Sequence, residues 1–471
     1  MHRLSLRHWS IRHAGTFERL YGWFLRVAPA LRAVVGWLGT ARAEFWVKPV
    51  ERGFKSLFFG CRMCGQCVLS ASGMACPMNC PKQLRNGPCG EVSPQGRCEV
   101  DPALRCVWLE AFEGAGKMRD RAAILRVQPA VDRRLEGSST WIRTIVSGDA
   151  PREREDSARA EASDRSPLEQ ACRSGRFVVT AEVSPPDSAD PEDLLRRARP
   201  LRGLVDALNV TDNAAAHCHM SSLAASALLA RDGHQPVFQI ACRDRNRLAM
   251  QADILGAAAL GVRNLLCITG DDVAAGDHPQ ARAVFDLDAV SLLETARGLR
   301  DRGSYASGRK IAGRPALFLG ATANPFAPPF ADRVVNLQRK LAAGAQFIQT
   351  QYCLDLARLQ AFLERMRDAG LDRRCHVLVG VGPLVSLRMA RWLATRVPGV
   401  HVPDGVLRRL ERSGDVEREG MRICVETIQA LREMRGVSGV HLMVHRREDL
   451  ISQLLAAALP QVNLQEGVVH A

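Results

Sequence analysis

Eight cysteines lie close together in the segment that begins CRMCGQC at residue 61, while the other seven are spread over the rest of the chain. Thiols at this density can form disulfides, bind zinc or hold an iron–sulfur cluster. We therefore treat all eight as candidate metal ligands. They are Cys61, Cys64, Cys67, Cys76, Cys80, Cys89, Cys98 and Cys106.

The spacing of these cysteines favours an iron–sulfur cluster. Cys61, Cys64 and Cys67 follow a C-x2-C-x2-C pattern, and both Cys76 and Cys80 precede a proline; three close cysteines and a distant Cys-Pro are typical of [4Fe–4S] binding. Zinc, which four paired thiolates would suit, stays open as an alternative or an addition. Disulfides are disfavoured because they need an oxidising compartment. One cluster with spare ligands, two clusters, or a cluster plus zinc are all compatible with the spacing.

Polar residues at the ends of apolar runs form a second group of candidate functional residues. Glu182 lies between VVTA and VSPP, where apolar surroundings would raise the pKa of its carboxyl and let it donate a proton near neutral pH. Asp271 follows a glycine in TGDD, and Gln351 ends FIQTQ with an amide suited to a planar heterocycle. The structural alternatives are a rim salt bridge for Glu182, a cap for Asp271 and a structural hydrogen bond for Gln351.

Eight β-then-α units position these residues and predict an α/β fold, a (β/α)8 TIM barrel rather than a doubly wound sheet. Active sites of such barrels lie at the carboxyl ends of the strands. The strand ends to inspect are Glu182, Thr211, Gln239, Asp271, Thr322, Gln351 and Gly382. The predicted strands are FVVTAEV (177–183), VDALNVT (205–211), PVFQIAC (236–242), VRNLLCITG (262–270), ALFLGAT (316–322), AQFIQTQ (345–351), HVLVGVG (376–382) and GVHLMV (439–444).

The chain divides into three predicted segments: a cysteine-rich metal or iron–sulfur domain (1–146), a polar linker (147–170) and the barrel (171–471). The linker is assigned from its charged composition and its few large apolar residues. The N-terminal run 20–39 carries two arginines and is interrupted by Pro29. It is therefore predicted to be an amphipathic helix packed on the cysteine domain, not a transmembrane segment.

The 471 residues carry a formal charge of +14, and 46% of them are apolar. Residues 1–150 contain 22 Lys or Arg against 12 Asp or Glu, which favours an acidic partner such as an electron-carrier protein. Nucleic acid is disfavoured because the arginines are scattered. The absence of a signal-peptide pattern favours a cytoplasmic location.

The barrel segment resembles the methylenetetrahydrofolate reductase family over about 175–457. The resemblance is carried by AEVSPP, LNVTDN, CRDRNR, NLLCITGDD, GDHPQARAVFDLDAVSLL, LAAGAQFIQTQYCLD, VPGVHVPDGVLRRL and GVSGVHLM, in the order and spacing of the family. It implies a flavin-dependent oxidoreductase of one-carbon metabolism. The enzyme would reduce 5,10-methylenetetrahydrofolate to 5-methyltetrahydrofolate for methionine biosynthesis.

The resemblance also implies roles for individual residues. Glu182 matches the general acid of the family, and Gln351 the amide that binds folate. Asp271 matches a carboxylate beside the flavin and the pterin, where negative charge favours a cationic iminium. The positions implied to bind a flavin, FAD or FMN, are Thr211, Gln239, Gly270, Asp271, Phe285 and Lys340, the last suited to phosphate.

The N-terminal segment is similar, over about 15–145, to the cysteine-rich domain that accompanies short bacterial members of this family. Val183 and Ser184 stand where many members have aromatic residues, and Gln239 and Thr269 where His and Arg are common. Electrons are therefore expected either from NAD(P)H or from an acidic carrier through the metal domain, in a homo-oligomer or a redox complex. The alternatives are a flavin-free, folate-dependent methyl-transfer barrel and a non-catalytic electron-relay or scaffold protein.

Overall fold

The computed structural model describes residues 2–147, 165–397 and 399–459, and the chain folds into two compact units. The first unit contains the described residues up to Cys89 and again from Gly96 to Ser147. The second unit contains the short segment Gly90–Gln95 and the described residues from 165 onward.

The first unit is a set of helices around a loop-rich cysteine segment. Phe17 and Phe59 pack with the cysteine segment in one core, which also contains Cys64, Cys76 and Met78. Its helices are α1 (His2–Arg12), α2 (Ala14–Leu38), α3 (Thr40–Phe59), α4 (Val107–Ala115) and α5 (Thr140–Ser147).

The second unit is a closed barrel of eight parallel strands in sequential order, which confirms the predicted (β/α)8 fold. Each strand falls within or close to a predicted run, because short β-branched runs separated by amphipathic stretches are what a fully covered parallel sheet requires. The strands are β1 (Val178–Val183), β2 (Ala207–Val210), β3 (Pro236–Ala241), β4 (Asn264–Ile268), β5 (Phe318–Ala323), β6 (Phe347–Tyr352), β7 (His376–Val381) and β8 (Gly439–Leu442).

Helices follow the strands around the barrel. Several begin at a side-chain cap; Asn246, for example, accepts the N–H groups of Leu248 and Ala249 at the start of α9. The helices are α6 (Pro167–Arg173), α7 (Glu192–Ala198), α8 (Ser222–Arg231), α9 (Arg247–Ala259), α10 (Ala289–Arg297), α11 (Arg333–Ala343), α12 (Leu356–Asp368), α13 (Leu387–Arg396), α14 (Asp404–Arg412), α15 (Val416–Glu433) and α16 (Leu450–Ala458).

The barrel interior is apolar at one end and polar at the other. Val178, Ala207, Val237 and Phe347 pack in one core cluster with Leu168 of α6. Side chains two residues further along a strand point the same way, so the polar residues near the strand carboxyl ends face the same interior. The amino-terminal layer is thus the packed core, and the carboxyl-terminal layer is available for chemistry.

Of two further predicted segments, the linker lies mostly outside the described residues, whereas the amphipathic helix is described. Most of the predicted linker, residues 148–164, lies outside the described residues, and α6 begins at Pro167, inside the predicted linker range. The predicted amphipathic helix over 20–39 is part of α2, which continues through Pro29. Within the described part of the chain, none of the helices is both long and apolar enough to cross a membrane.

Candidate active site

The interior face at the carboxyl ends of the barrel strands carries Glu182 and Gln239 of the predicted site residues. Strand register places Glu182 of β1 opposite Asn209 of β2, and Thr180 opposite His441 of β8. Because directly paired residues of parallel strands share a face, these side chains point into one space. The polar residues that register assigns to this face are Thr180, Glu182, Asn209, Gln239, Thr322, Gln349 and His441.

Glu182 has the electrostatics of a proton donor. Its side chain is 18% exposed, and burial, with a smaller contribution from the charge of Glu448, raises its pKa to about 7. Glu448 itself is paired with Arg197 at 2.9 Å. A carboxyl of this kind is still half protonated at neutral pH, as a general acid requires.

His441 lies beside Glu182 in the neutral state. Burial lowers the pKa of its imidazole to about 4, so its Nε2, 4.0 Å from Oε2 of Glu182, makes no ion pair at neutral pH. The Thr180 hydroxyl donates to the carbonyl oxygen of Val440 at 3.4 Å. Nδ1 of His441 lies 3.0 Å from the same hydroxyl, and this contact holds the ring in place.

Asp271 follows β4 and joins two loops at the same end of the barrel. Its Oδ2 accepts the backbone N–H of Ala215 at 2.9 Å. The preceding Gly270 has φ +91°, and an added Cβ would lie 2.9 Å from Cβ of Arg243. Glycine is thus required at this turn both by its conformation and by the close approach of Arg243.

The two predicted amides differ in how they are held. Oε1 of Gln239 accepts the backbone N–H of Asp212 at 3.1 Å, which fixes the end of β3 against the β2 loop. Oε1 of Gln351 accepts the N–H of Tyr352 at 2.9 Å, and the register between β6 and β7 shifts between Gln349 and Tyr352. The irregularity in the β6–β7 pairing therefore lies at Gln351, within β6.

Three buried polar atoms, on strands β2 and β6 or directly after β2, lack a partner among the described residues. They are the hydroxyl oxygen of Thr211, Oδ1 of Asn209 and Nε2 of Gln349. Unpaired buried polar atoms are rare and call for an explanation such as a bound ligand or water. Sequence analysis selected Thr211 but missed Asn209 and Gln349. Period-two counting back from Thr211 and Gln351 would have found both.

The remaining predicted cofactor residues lie on the barrel and its loops. Lys340, on α11, is buried, and its Nζ donates to the carbonyl oxygen of Thr322 at the end of β5. Phe285 has φ +42°, an uncommon conformation for an aromatic residue. Its N–H donates to the carbonyl oxygen of Cys242 at 3.2 Å.

In the first unit, the eight cysteines separate into two groups of four. One group lines a single pocket together with Lys55. Sγ of Cys61 accepts the N–H of Met63 at 3.3 Å, and positive φ at Met63 and Gly65 turns the loop between the thiols. Burial, reinforced by the neighbouring thiols, raises the pKa of Cys76 to about 12. The members of this first group are Cys61, Cys64, Cys67 and Cys76.

The second group forms around a buried pair of Lys82 and Glu99. Burial raises the pKa of Cys80 to about 11, with electrostatic contributions from Cys106 and Cys98. Burial also raises the pKa of Cys89, while Lys82 lowers it and Glu99, Cys106 and Cys80 add to the increase. The members of this second group are Cys80, Cys89, Cys98 and Cys106.

All fifteen cysteines are free thiols. Over the described ranges, no three or more His, Cys, Asp or Glu side chains stand in an arrangement that would hold a metal ion. The predicted metal site is therefore not established by the side-chain positions, and it stays a prediction. The fold nevertheless divides the eight clustered thiols into the two groups of four.

Two family profiles match the chain. The family described as Methylenetetrahydrofolate reductase matches residues 167–458, which is more than half of the chain and includes every strand of the barrel. The family described as Methylene-tetrahydrofolate reductase C terminal matches residues 41–134, the range that contains all eight clustered cysteines. Both matches agree with the resemblances found in the sequence.

Individual relatives are distant. A probable methylenetetrahydrofolate reductase (NADPH) of Caenorhabditis elegans is 26% identical over 240 residues, which cover 50% of this chain and 34% of that protein. The chain thus spans about a third of the length of that relative. The 5,10-methylenetetrahydrofolate reductase of Pectobacterium carotovorum subsp. carotovorum is 23% identical over 299 residues, covering 61% of this chain and 93% of that protein.

A solved structure with a similar chain path is an uncharacterized protein from Clostridium thermocellum that binds two copies of 5-methyl-5,6,7,8-tetrahydrofolic acid. It is 13% identical, has a TM-score of 0.42, and covers 62% of this chain and 98% of that one. The EDTA monooxygenase EmoA of Chelativorans sp. BNC1 is 11% identical with a TM-score of 0.40, and covers 62% of this chain and 96% of that one.

Proposed function

Because the chain belongs to the methylenetetrahydrofolate reductase family, we propose that its barrel reduces 5,10-methylenetetrahydrofolate to 5-methyltetrahydrofolate. The observation that carries this proposal is Glu182. Its carboxyl lies on the polar interior face with a pKa of about 7. A group that holds a proton at neutral pH is what the first step of this reduction needs.

The methylene bridge of the substrate opens to an iminium cation when a folate nitrogen is protonated. Glu182 donates that proton. A hydride then adds to the iminium carbon and converts it to a methyl group. Neutral His441 leaves the acid without a cationic neighbour that would lower its pKa. Asp271 supplies negative charge near the cationic iminium, and the amide of Gln351 orients the pterin by hydrogen bonding.

A flavin, FAD or FMN, would supply the hydride when bound, and the residues present fit such a group. The buried Thr211 hydroxyl has no partner among the described residues and can donate to a polar heterocycle. Gly270, with φ +91°, holds the loop that carries Asp271 in its conformation. Gln239, Phe285 and Lys340 would complete the flavin site, with Lys340 contributing positive charge for a phosphate.

The experiment that tests the proposal compares Glu182→Gln with the unchanged protein in an anaerobic assay of 5-methyltetrahydrofolate formation, driven by a chemical reductant. We expect loss of at least about a hundredfold in rate with flavin retained. Glu433→Gln, on an exposed position at the end of α15, is the matched control. Full turnover by Glu182→Gln, or purified protein without flavin absorbance, would contradict the proposed reaction.

We also propose that the cysteine segment binds metal, with a [4Fe–4S] cluster in the first group of four. The C-x2-C-x2-C loop, the N–H···S contact at Cys61 and the positive charge of Lys55 all suit thiolate ligands. A thiol with a pKa near that of Cys76, about 12, is inert until a metal displaces its proton. Zinc or a second cluster would occupy the second group.

Elemental analysis of anaerobically purified protein tests the metal proposal. We expect iron and acid-labile sulfide that Cys64→Ser removes, while Cys98→Ser removes only the metal of the second group. Zinc as the sole metal would rule out the cluster. Steady-state assays with NAD(P)H, and with an acidic electron-transfer protein that the basic N-terminal segment would attract, identify the donor.

A further inference from the structure

The helical hairpin formed by α2 and α3 exposes many large apolar side chains. Phe17, near the start of α2, contacts Phe59 at the end of α3, with ring centroids 5.0 Å apart, so the helices run antiparallel and meet at Gly39. Of the seventeen exposed large apolar residues in the described part of the chain, ten lie between Leu20 and Leu57. The exposure is therefore concentrated on this hairpin.

The most exposed of these side chains lie at the end of the hairpin where Gly39 joins the helices. Trp37 is 85% exposed, Trp46 74% and Phe45 71%. We define the hairpin-end patch as Val34, Trp37, Leu38, Phe45, Trp46 and Val50.

The opposite side of the hairpin is packed. Ala28, Val35 and Ala43 form a core cluster with Ile142 and Ile145 of α5. This packing fixes the orientation of the hairpin, so the aromatic side chains of the patch cannot turn inward without breaking that core. Exposed large apolar side chains concentrated in this way are typical of an interaction site.

The exposed charge of the hairpin is of one sign. Between Leu20 and Leu57 every exposed charged side chain is an arginine, at positions 26, 32, 42 and 52. Glu44 is partly buried and accepts the N–H of Ser139 at 2.7 Å, and Glu51 is buried in a pair with Lys55. The exposed charges that the hairpin itself carries between Leu20 and Leu57 are therefore all positive.

We propose that the hairpin-end patch docks the protein on the surface of an anionic lipid bilayer. Tryptophan is enriched at the depth of lipid headgroups, and arginine beside an apolar face adds attraction to anionic lipids. The binding is peripheral, with the aromatic side chains at the headgroup level. The proposal is independent of the reductase reaction, because vesicle binding needs no substrate.

Cosedimentation of the full chain with vesicles tests the proposal. We expect binding to phosphatidylcholine vesicles that contain phosphatidylglycerol, much weaker binding to phosphatidylcholine alone, and release at high salt. The double variant Trp37→Ser/Trp46→Ser should lose at least tenfold in vesicle affinity, and Arg42→Glu/Arg52→Glu should lose the preference for anionic lipid. Trp392→Ser, which changes a 56% exposed tryptophan on α13, is the matched control and should bind as the parent does.

Three results would overturn the proposal. The first is no binding of the parent protein to either vesicle, and the second is equal binding by the Trp37→Ser/Trp46→Ser variant. The third is a parent protein that self-associates in sedimentation velocity and becomes monomeric in that variant, with no vesicle binding, because the patch would then join two copies of this chain. Circular dichroism of each variant verifies that the fold is retained.

Discussion

Substitution of Glu448 by glutamine should shift the pH dependence of the proposed folate reduction without altering the groups that react. Burial and the negative charge of Glu448 together hold the pKa of Glu182 at about 7. Removal of that charge lowers the pKa of Glu182. Arg197, which pairs with Glu448 at 2.9 Å and also donates to the carbonyl oxygen of Ser184 at 2.7 Å, then carries an uncompensated positive charge and acts in the same direction.

The size of the effect follows from the protonated fraction of Glu182. With a pKa of about 7, the acid is about 90% protonated at pH 6, half at pH 7 and about 10% at pH 8. Folate reduction limited by this proton should therefore fall about tenfold between pH 6 and 8 in the parent protein. A decrease of one unit in this pKa lowers the rate at pH 8 about ninefold and leaves the rate at pH 5 nearly unchanged.

The assay is single-turnover reduction of 5,10-methylenetetrahydrofolate by chemically reduced protein between pH 5 and 9, which removes the physiological electron donor from the measurement. Glu433→Gln serves as the control for loss of one carboxylate and should retain the parent profile. A parent rate that is flat from pH 6 to 8, or a Glu448→Gln midpoint above that of the parent, would refute the assignment of Glu182 as the acid.

Three further substitutions test the geometry. Gly270→Ala should cost about 1–3 kcal/mol of stability, since φ is +91° and the new Cβ meets Arg243; Gly256→Ala in α9, with open space around it, should be neutral or stabilising in the same thermal melts. Thr211→Val should weaken flavin binding about tenfold by titration without destabilising the flavin-free protein, and unchanged affinity would exclude a contact to flavin. Lys55→Met removes the ion-pair partner of the buried Glu51, which keeps its hydrogen bonds from Ser139 and Thr140, and should cost about 3 kcal/mol. Adding Glu51→Gln should recover much of this loss, and an equally unstable double variant would contradict the pairing.

The barrel could be predicted because its strands are covered on both faces and appear in the sequence as apolar runs that end in polar residues. The same alternation contained Asn209, Gln349 and His441, which point the same way as the predicted residues. The effect of Glu448 on Glu182 could not be predicted, because it depends on the closure of the barrel between β8 and β1. Nor could spacing divide the cysteines, since Cys76 and Cys80 both precede proline but belong to different groups.

Burial of His441 is as much a condition for the proposed acid as burial of Glu182 itself. An imidazolium 4.0 Å from the carboxyl would attract its anionic form and lower the pKa of Glu182. Because burial holds the pKa of His441 at about 4, the imidazole is uncharged wherever the carboxyl titrates. Thr180 positions the ring through its hydroxyl, which lies 3.0 Å from Nδ1 of His441. Three residues on two paired strands thus keep one proton available at neutral pH.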